Sequence, residues 1–348
     1  MNRRRFLASA GVAGASILAG CGSVENQSTR SPPLVENRPD ATYYPTHKEG
    51  MKMIGVGDAG DYKVGLTYSY PHRFWTVTGT TAEQVTIQDD DSVHLMASVW
   101  DPDTMTVLPI QSGVSITVSS DGETVADKQP WPMVSQNMGF HYGDNYQLDG
   151  EGVYEMTVRV DGMTERRLGG FADRFGDAGE MTTNFEFSRS ARDDIAFTEY
   201  PDQQGSRAAL DLMKMEMMPT SQVPAPDDLP GELLGTGKGS DEVYAATWLS
   251  EAPFLDSGQS YLAVSVRTPY NRVPLPMMSI DGAVDIGGET AYDDSLSAAV
   301  HPDIGYHYGA VVEATGDPSV TVETVGPSQV SRHEGYETAF LGTPTIEF

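Results

Sequence analysis

Apolar and polar residues alternate in short runs along most of the chain. "YKVGLTYSY", "SVHLMASVW", "SGVSITVSS", "GVYEMTVRV" and "TTNFEFS" place apolar side chains at about every second position, the period of a strand with one buried face. "DPDTM", "SSDGE", "LDGEG" and "VDGMT" stand between such runs and carry the Asp, Gly and Ser that favour reversals. The pattern resumes with "VYAATWLS", "SYLAVSVRT", "PMMSIDGAV", "GAVVEAT", "SVTVETV" and "PTIEF". Short strands, frequent turns and no long helical period predict an all-β fold of β-sandwich domains. Two such domains in tandem are expected, over residues 61–190 and 236–348. Residues 191–235 read as a linker, in which "RAALDLMKMEMM" predicts a short helix before a Pro- and Gly-rich, irregular stretch. Residues 21–60, rich in Ser, Pro, Asn and Gly, read as a flexible tether.

The two β regions resemble each other. "NMGFHYGDNYQLDGEGVYEMTVRV" aligns with "DIGYHYGAVVEATGDPSVTVETV", and "SVHLMASV" with "SYLAVSV". Gly, aromatic, His, Tyr and Gly recur in matching order, which predicts a duplication.

The first residues change the picture of where the chain works. "MNRRRFLASAGVAGASILAGCGS" pairs Arg3 and Arg4 with a short apolar run, the pattern of a twin-arginine export signal over residues 1–20. "LAGC" resembles a lipobox, so Cys21 is the expected lipid anchor and the location is extracytoplasmic, on the cell membrane. Cys21 is the single cysteine. The domains therefore lack disulfides, a blue-copper thiolate and a thiol nucleophile. The formal charge is −28, with six lysines and sixteen arginines against fifty acidic residues. That balance predicts a halophilic, well-hydrated surface and excludes nucleic acid as a partner.

Candidate chemistry lies in histidine and methionine. On "SVHLMASVW", His94 and Met96 share one strand face. In a straight strand Met133 and His141 would be ~26 Å apart, but "SQNMG" between them is a plausible turn that returns His141 toward Met133. Imidazole with thioether suits copper, the reduced ion above all. The competing reading makes the methionines core filler and the histidines hydrogen-bonded structural residues. "YPHRFWTVTG", with His72, reads as aromatic packing, a second metal or binding surface being the alternative. His47, near Met51 and Met53, reads as tether sequence or as a metal-capture arm. No hydrolase elbow, zincin pair or phosphate loop is present in the sequence, so no enzymatic activity is expected.

"PMVSQNMGFHYGDN" resembles the motif of the periplasmic iron-transport lipoproteins found beside high-affinity iron permeases. That family carries a Pro-Met-Val loop ending in Gly-Pro-His-Tyr-Gly, a preceding His-Leu-Glu strand and a late Gly-Arg-His. The resemblance implies immunoglobulin-like sandwiches, copper binding and a role in iron uptake, with iron as cargo and a membrane iron permease as partner. Position by position, Met133, His141 and His94 match the family's ligands, while Met96 stands where the family has glutamate. The late histidine is missing from the first region, where "RRLGGFADRFGD" replaces it. The second region keeps His307 and His333 but has Tyr261 for the strand histidine and Ala299 for the loop methionine. Met277 or Met278 is a further candidate ligand, and His301 has no family counterpart. Three arrangements follow: a site in the first domain from His94, Met96, Met133 and His141; one site shared by both domains; or remnants on a fold kept for contact. The first is the leading expectation. A metal-free immunoglobulin-like interaction module is the alternative function, and the sequence leaves open whether two chains form a homodimer.

Overall fold

A computed structural model describes residues 31–348; the expected signal, Arg3, Arg4 and Cys21 lie outside the described residues. The first half contributes β1 (His47–Glu49), β2 (Lys52–Ala59), β3 (Tyr62–Ser69), β4 (Phe74–Thr78), β5 (Thr81–Val85), β6 (Val93–Trp100), β7 (Val114–Ser120), β8 (Glu123–Lys128), β9 (Trp131–Ser135), β10 (Gly139–Tyr146), β11 (Gly152–Val160), β12 (Arg166–Arg167), β13 (Gly179–Phe187), α1 (Arg189–Asp193) and β14 (Phe197–Glu199). The second half contributes β15 (Glu232–Lys238), β16 (Val243–Leu249), β17 (Ser260–Arg267), β18 (Ser279–Ile286), β19 (Glu289–Ser295), β20 (Ser297–His301), β21 (Gly305–Val312), β22 (Pro318–Gly326), β23 (Ser331–Arg332) and β24 (Thr345–Glu347). The fold is all-β, in immunoglobulin-like sandwich style.

The two halves match in strand order. The first large sheet runs β2-β3-β6-β10-β9-β23-β4-β5 and the second runs β15-β16-β17-β21-β20-β12. The smaller sheets, β13-β11-β7-β8 and β24-β22-β18-β19, correspond in the same way. Each half lends a two-residue strand to the other: β23 pairs in parallel with β9, and β12 with β20. The exchange ties the described residues into one compact unit.

Alternation positions the site. On β6, Val93, Leu95, Ala97 and Val99 enter the sandwich core, as do Phe140, Tyr142 and Tyr146 of β10. His94, Met96, His141 and Gly143 therefore lie on the opposite face. That face is also buried, with His94 at 0% exposure and Met96 at 3%. Covering it are residues 45–51 and the segment after β23.

Two expectations fail here. Residues 31–60 are not all tether: β1 and β2 form within them, and Ala41 and Tyr43 are fully buried. Their irregular composition hides strands whose partners are distant, β14 for β1 and β3 for β2. The helix expected over 207–218 does not form. Tertiary hydrogen bonds override its propensity: Leu210 N donates to Gln136 Oε1 at 2.8 Å and Met213 N to Asn137 O at 2.7 Å. Among the described residues, no helix is long and apolar enough to cross a membrane.

Candidate metal centre

Cross-strand register assembles the centre. Met133 on β9 lies opposite His141 on β10. On β6, His94 lies opposite Asn145 and Met96 opposite Gly143. The turn between Ser135 and Gly139 makes this register possible, with Gly139 in the left-handed region at φ 79°. One point then collects three side chains. A Cβ on Gly143 would lie 2.6 Å from His94 Nε2, 3.1 Å from Met133 Sδ and 3.4 Å from His141 Cδ2.

His333 completes the group from the far end of the sequence. Its backbone N–H donates to Val134 O at 3.1 Å, extending the parallel ladder of β23 on β9. Its ring centroid lies 5.3 Å from that of His141 and 5.7 Å from that of His94. His72, just before β4, brings a fourth imidazole 4.0 Å from His94 and 5.1 Å from His333, centroid to centroid. One nitrogen from each of His72, His94 and His333 lies within 4.8 Å of the others, a spacing able to hold a metal ion.

Hydrogen bonds fix which nitrogen is free. Asn145 is clamped by the His72 backbone: Nδ2 donates to His72 O at 2.9 Å and Oδ1 accepts from His72 N at 3.2 Å. Its Oδ1 must therefore accept from His94 Nδ1–H, at 2.8 Å. His141 Nδ1–H donates to Gly139 O at 3.0 Å. His72 Nδ1–H donates to the Glu49 carboxylate at 2.5 Å. For His72, His94, His141 and His333, Nε2 is buried and has no hydrogen-bond partner among the described residues. An orphaned buried polar atom costs roughly 1–3 kcal/mol. Four together are a burden comparable to the net stability of many folded proteins, ~5–15 kcal/mol. A metal ion relieves it, and outer hydrogen bonds from Nδ1 are the usual way ligand rings are oriented.

Electrostatics agrees with the geometry. Burial, together with the neighbouring His72 and His333, holds His94 well below the ordinary imidazole range. Burial brings His141 down to about 4 against the favourable Gly139 carbonyl. His333 is held well below its usual value by burial and by His72 and His141. These rings are neutral near pH 7, the form a metal requires. Burial alone would raise the Glu49 carboxyl, but His72 and His47 outweigh it and hold it at about 2. A part-buried ion pair locks the outer wall: Arg73, next to His72, donates to Glu334, next to His333, at 2.6 Å.

The second half shows the same positions without the donors. Ala299 lies opposite His307 as Met133 does opposite His141. Leu168 N donates to Val300 O at 2.9 Å, the counterpart of the His333 bond. Tyr261 takes the place of His94, and its hydroxyl lies 3.0 Å from His307 Nε2. His307 Nδ1 is engaged by Gly305 O at 3.0 Å. His307 thus has both ring nitrogens occupied, and the grouping of His307 with His333 is corrected: His333 serves the first half. Met96 shares the face of the centre and lines the adjoining cavity. Met277 and Met278 pack against the core, and His301 lies by Asp303 and Phe254.

Sequence reasoning missed His72 and Glu49 as members of the site. The sequence signal was confined to Glu49 following the candidate His47 by two; the pairing of Arg73, beside His72, with Glu334, beside His333, exists only in the fold.

Gly143 has ordinary negative φ, so space and not conformation demands glycine there. Gly143→Ala is expected to fold and to lose copper affinity by at least ~10-fold, because its methyl takes the position on which the donors converge. Calorimetric titration beside a thermal melt checks this; wild-type affinity would place the ion elsewhere.

Comparison with solved structures finds a copper-bound variant of FetP from uropathogenic Escherichia coli, 18% identical with a TM-score of 0.30, covering 39% of this chain and 97% of that one. FetP as isolated matches at 17% identity and a TM-score of 0.29, over 40% of this chain and 95% of that one. A family model described as a domain of unknown function, DUF7350, matches residues 227–348. No curated protein matches the chain.

Proposed function

We propose that this chain is an extracytoplasmic, membrane-anchored lipoprotein that binds copper at His94, Met133, His141 and His333, with His72 at the edge of the cluster. One observation carries the reading: four buried imidazole nitrogens lack partners, and His94 Nε2, the Met133 thioether and the His141 ring meet at Gly143. Imidazole and thioether favour copper over hard cations. The residues fit the ion, since each Nδ1–H of His72, His94 and His141 has an acceptor that turns Nε2 inward. Copper supplies a redox-active centre when bound; the chain orients the donors and excludes water. The role proposed for the bound metal is handling and transfer. The twin-arginine and lipobox pattern supports anchoring at the cell membrane, and the resemblance of the Pro-Met-Val loop supports a membrane permease as partner with iron as cargo.

Titrating purified protein with copper and with iron by calorimetry tests the proposal. Tight, stoichiometric copper binding that is lost in a His94→Ala, His141→Ala double variant is expected. Full affinity in that variant would remove the assigned site. No binding in either protein would leave the alternative, a metal-free interaction module.

A further inference from the structure

A small cavity of about 90 Å³ joins the cluster to the surface. Its lining includes His47, Glu49, Met51, His72, Met96 and Met138, and it reaches His333. The side chains of His47 and His72 are 12% and 13% exposed, whereas His94 and His141 are sealed at 0% and 1%. A cation entering the cluster meets these outer groups first.

Their geometry is fixed. Glu49 lies on β1, held beside β14. One carboxylate oxygen, Oε2, lies 2.5 Å from His72 Nδ1. The other, Oε1, is 3.4 Å from His47 Nε2 and is buried with no hydrogen bond among the described residues. The His47 ring is pinned by stacking on Phe197, at 4.9 Å, and by Thr46 Oγ1, 2.8 Å from Nδ1. This leaves His47 Nε2 directed at the free carboxylate oxygen. Met51, Met96 and Met138 add thioethers along the same wall.

We propose that His47 and Glu49, with the cavity methionines, form an outer cation position that takes copper(I) from solution and passes it past His72 to the buried cluster. The inference rests on the reading of that cluster as a copper site. Binding displaces any proton held between the carboxylate and the rings to solvent. The anionic carboxylate attracts the cation, and soft sulfur selects it over calcium or magnesium. His72 lies between the two positions, with Nδ1 toward Glu49 and its ring 4.0 Å from His94.

Silver(I) nitrate in chloride-free buffer serves as a redox-inert probe, read by stoichiometry and by stopped-flow loading rate. The wild type should bind one tight and one weaker equivalent. The His94→Ala, His141→Ala variant should keep only the weaker one. A His47→Ala variant, which leaves the Glu49–His72 pair in place, should keep the tight one but load at least ~10-fold more slowly, the scale on which outer partners act at metal sites. A Met51→Leu, Met138→Leu variant should do the same, and retention of the tight equivalent in either variant shows that it is folded. Wild-type loading in both outer variants, or no residual equivalent in the inner variant, would overturn the outer position. No uptake by the wild type would instead sink the buried copper site.

Discussion

His333→Ala is expected to abolish tight copper binding as fully as His94→Ala or His141→Ala. The loss should exceed the roughly 10–100-fold that follows removal of an outer-shell partner. The reason lies in the exchange of short strands. His333 follows β23, which adds to the first half's sheet beside β9, so its ring stands 5.3 Å from His141. His307, although its sequence context is closer to that of His141, should tolerate replacement: its Nε2 already faces the Tyr261 hydroxyl. A His307→Ala variant that bound copper normally, beside a His333→Ala variant that did not, would separate one shared centre from two independent ones. Equal losses in both would mean that the second half holds a working site of its own. Calorimetry and the copper(II) electron paramagnetic resonance spectrum read the comparison, because removing one nitrogen donor changes the hyperfine pattern.

Much of this arrangement was legible in the sequence. Period-two alternation identified β3, β6, β7, β11 and β13 because each has one face in an apolar core. The same alternation put His94 and Met96 on one face, and the turn at Gly139 placed Met133 opposite His141. The resemblance to the iron-transport lipoproteins also marked Tyr261 and Ala299 as replacements for the strand histidine and the loop methionine. What alternation does not encode is which sheet a two-residue strand joins. β12 and β23 each read as part of their own half, yet both are paired across. Their hydrogen bonds are few, and the choice of partner is made by the packing around them. Phe171 and Tyr336, each three residues past the matching Leu168 and His333, donate back to them at 3.1 Å. For the same reason His72 and Glu49 were hard to read as members of this site: His72 precedes β4 and Glu49 ends β1, and both are brought in by tertiary contacts, Asn145 holding His72 and Asn137 holding the Glu49 carbonyl.

Acidification from pH 7 to pH 4 is expected to destabilise the metal-free protein steeply, and the histidine cluster is the cause. Unfolded imidazoles titrate near 6.5. In the folded protein His141 is held at about 4, and His94 and His333 lie well below the ordinary value. Between these limits the unfolded chain binds more protons than the folded one, so stability rises with pH. The contribution is complete above the unfolded value and drains as pH falls toward the folded one. For His141 alone, the gap from about 6.5 to about 4 amounts to about 3 kcal/mol. Glu49 acts in the same direction in a lower window: its stabilising effect is present above the ordinary carboxyl value and is lost as pH falls through about 2. The surface works the other way, because protonating part of a −28 chain relieves repulsion. The informative quantity is therefore the difference between the wild type and His141→Gln, which keeps a polar side chain but does not titrate. Denaturant unfolding at pH 7, 5.5 and 4 should show the wild type losing about 3 kcal/mol more than the variant. Parallel losses would mean that His141 is reached by solvent protons without unfolding. Copper should steepen the wild-type dependence, since the ion binds neutral rings in the folded state and must be released as they protonate.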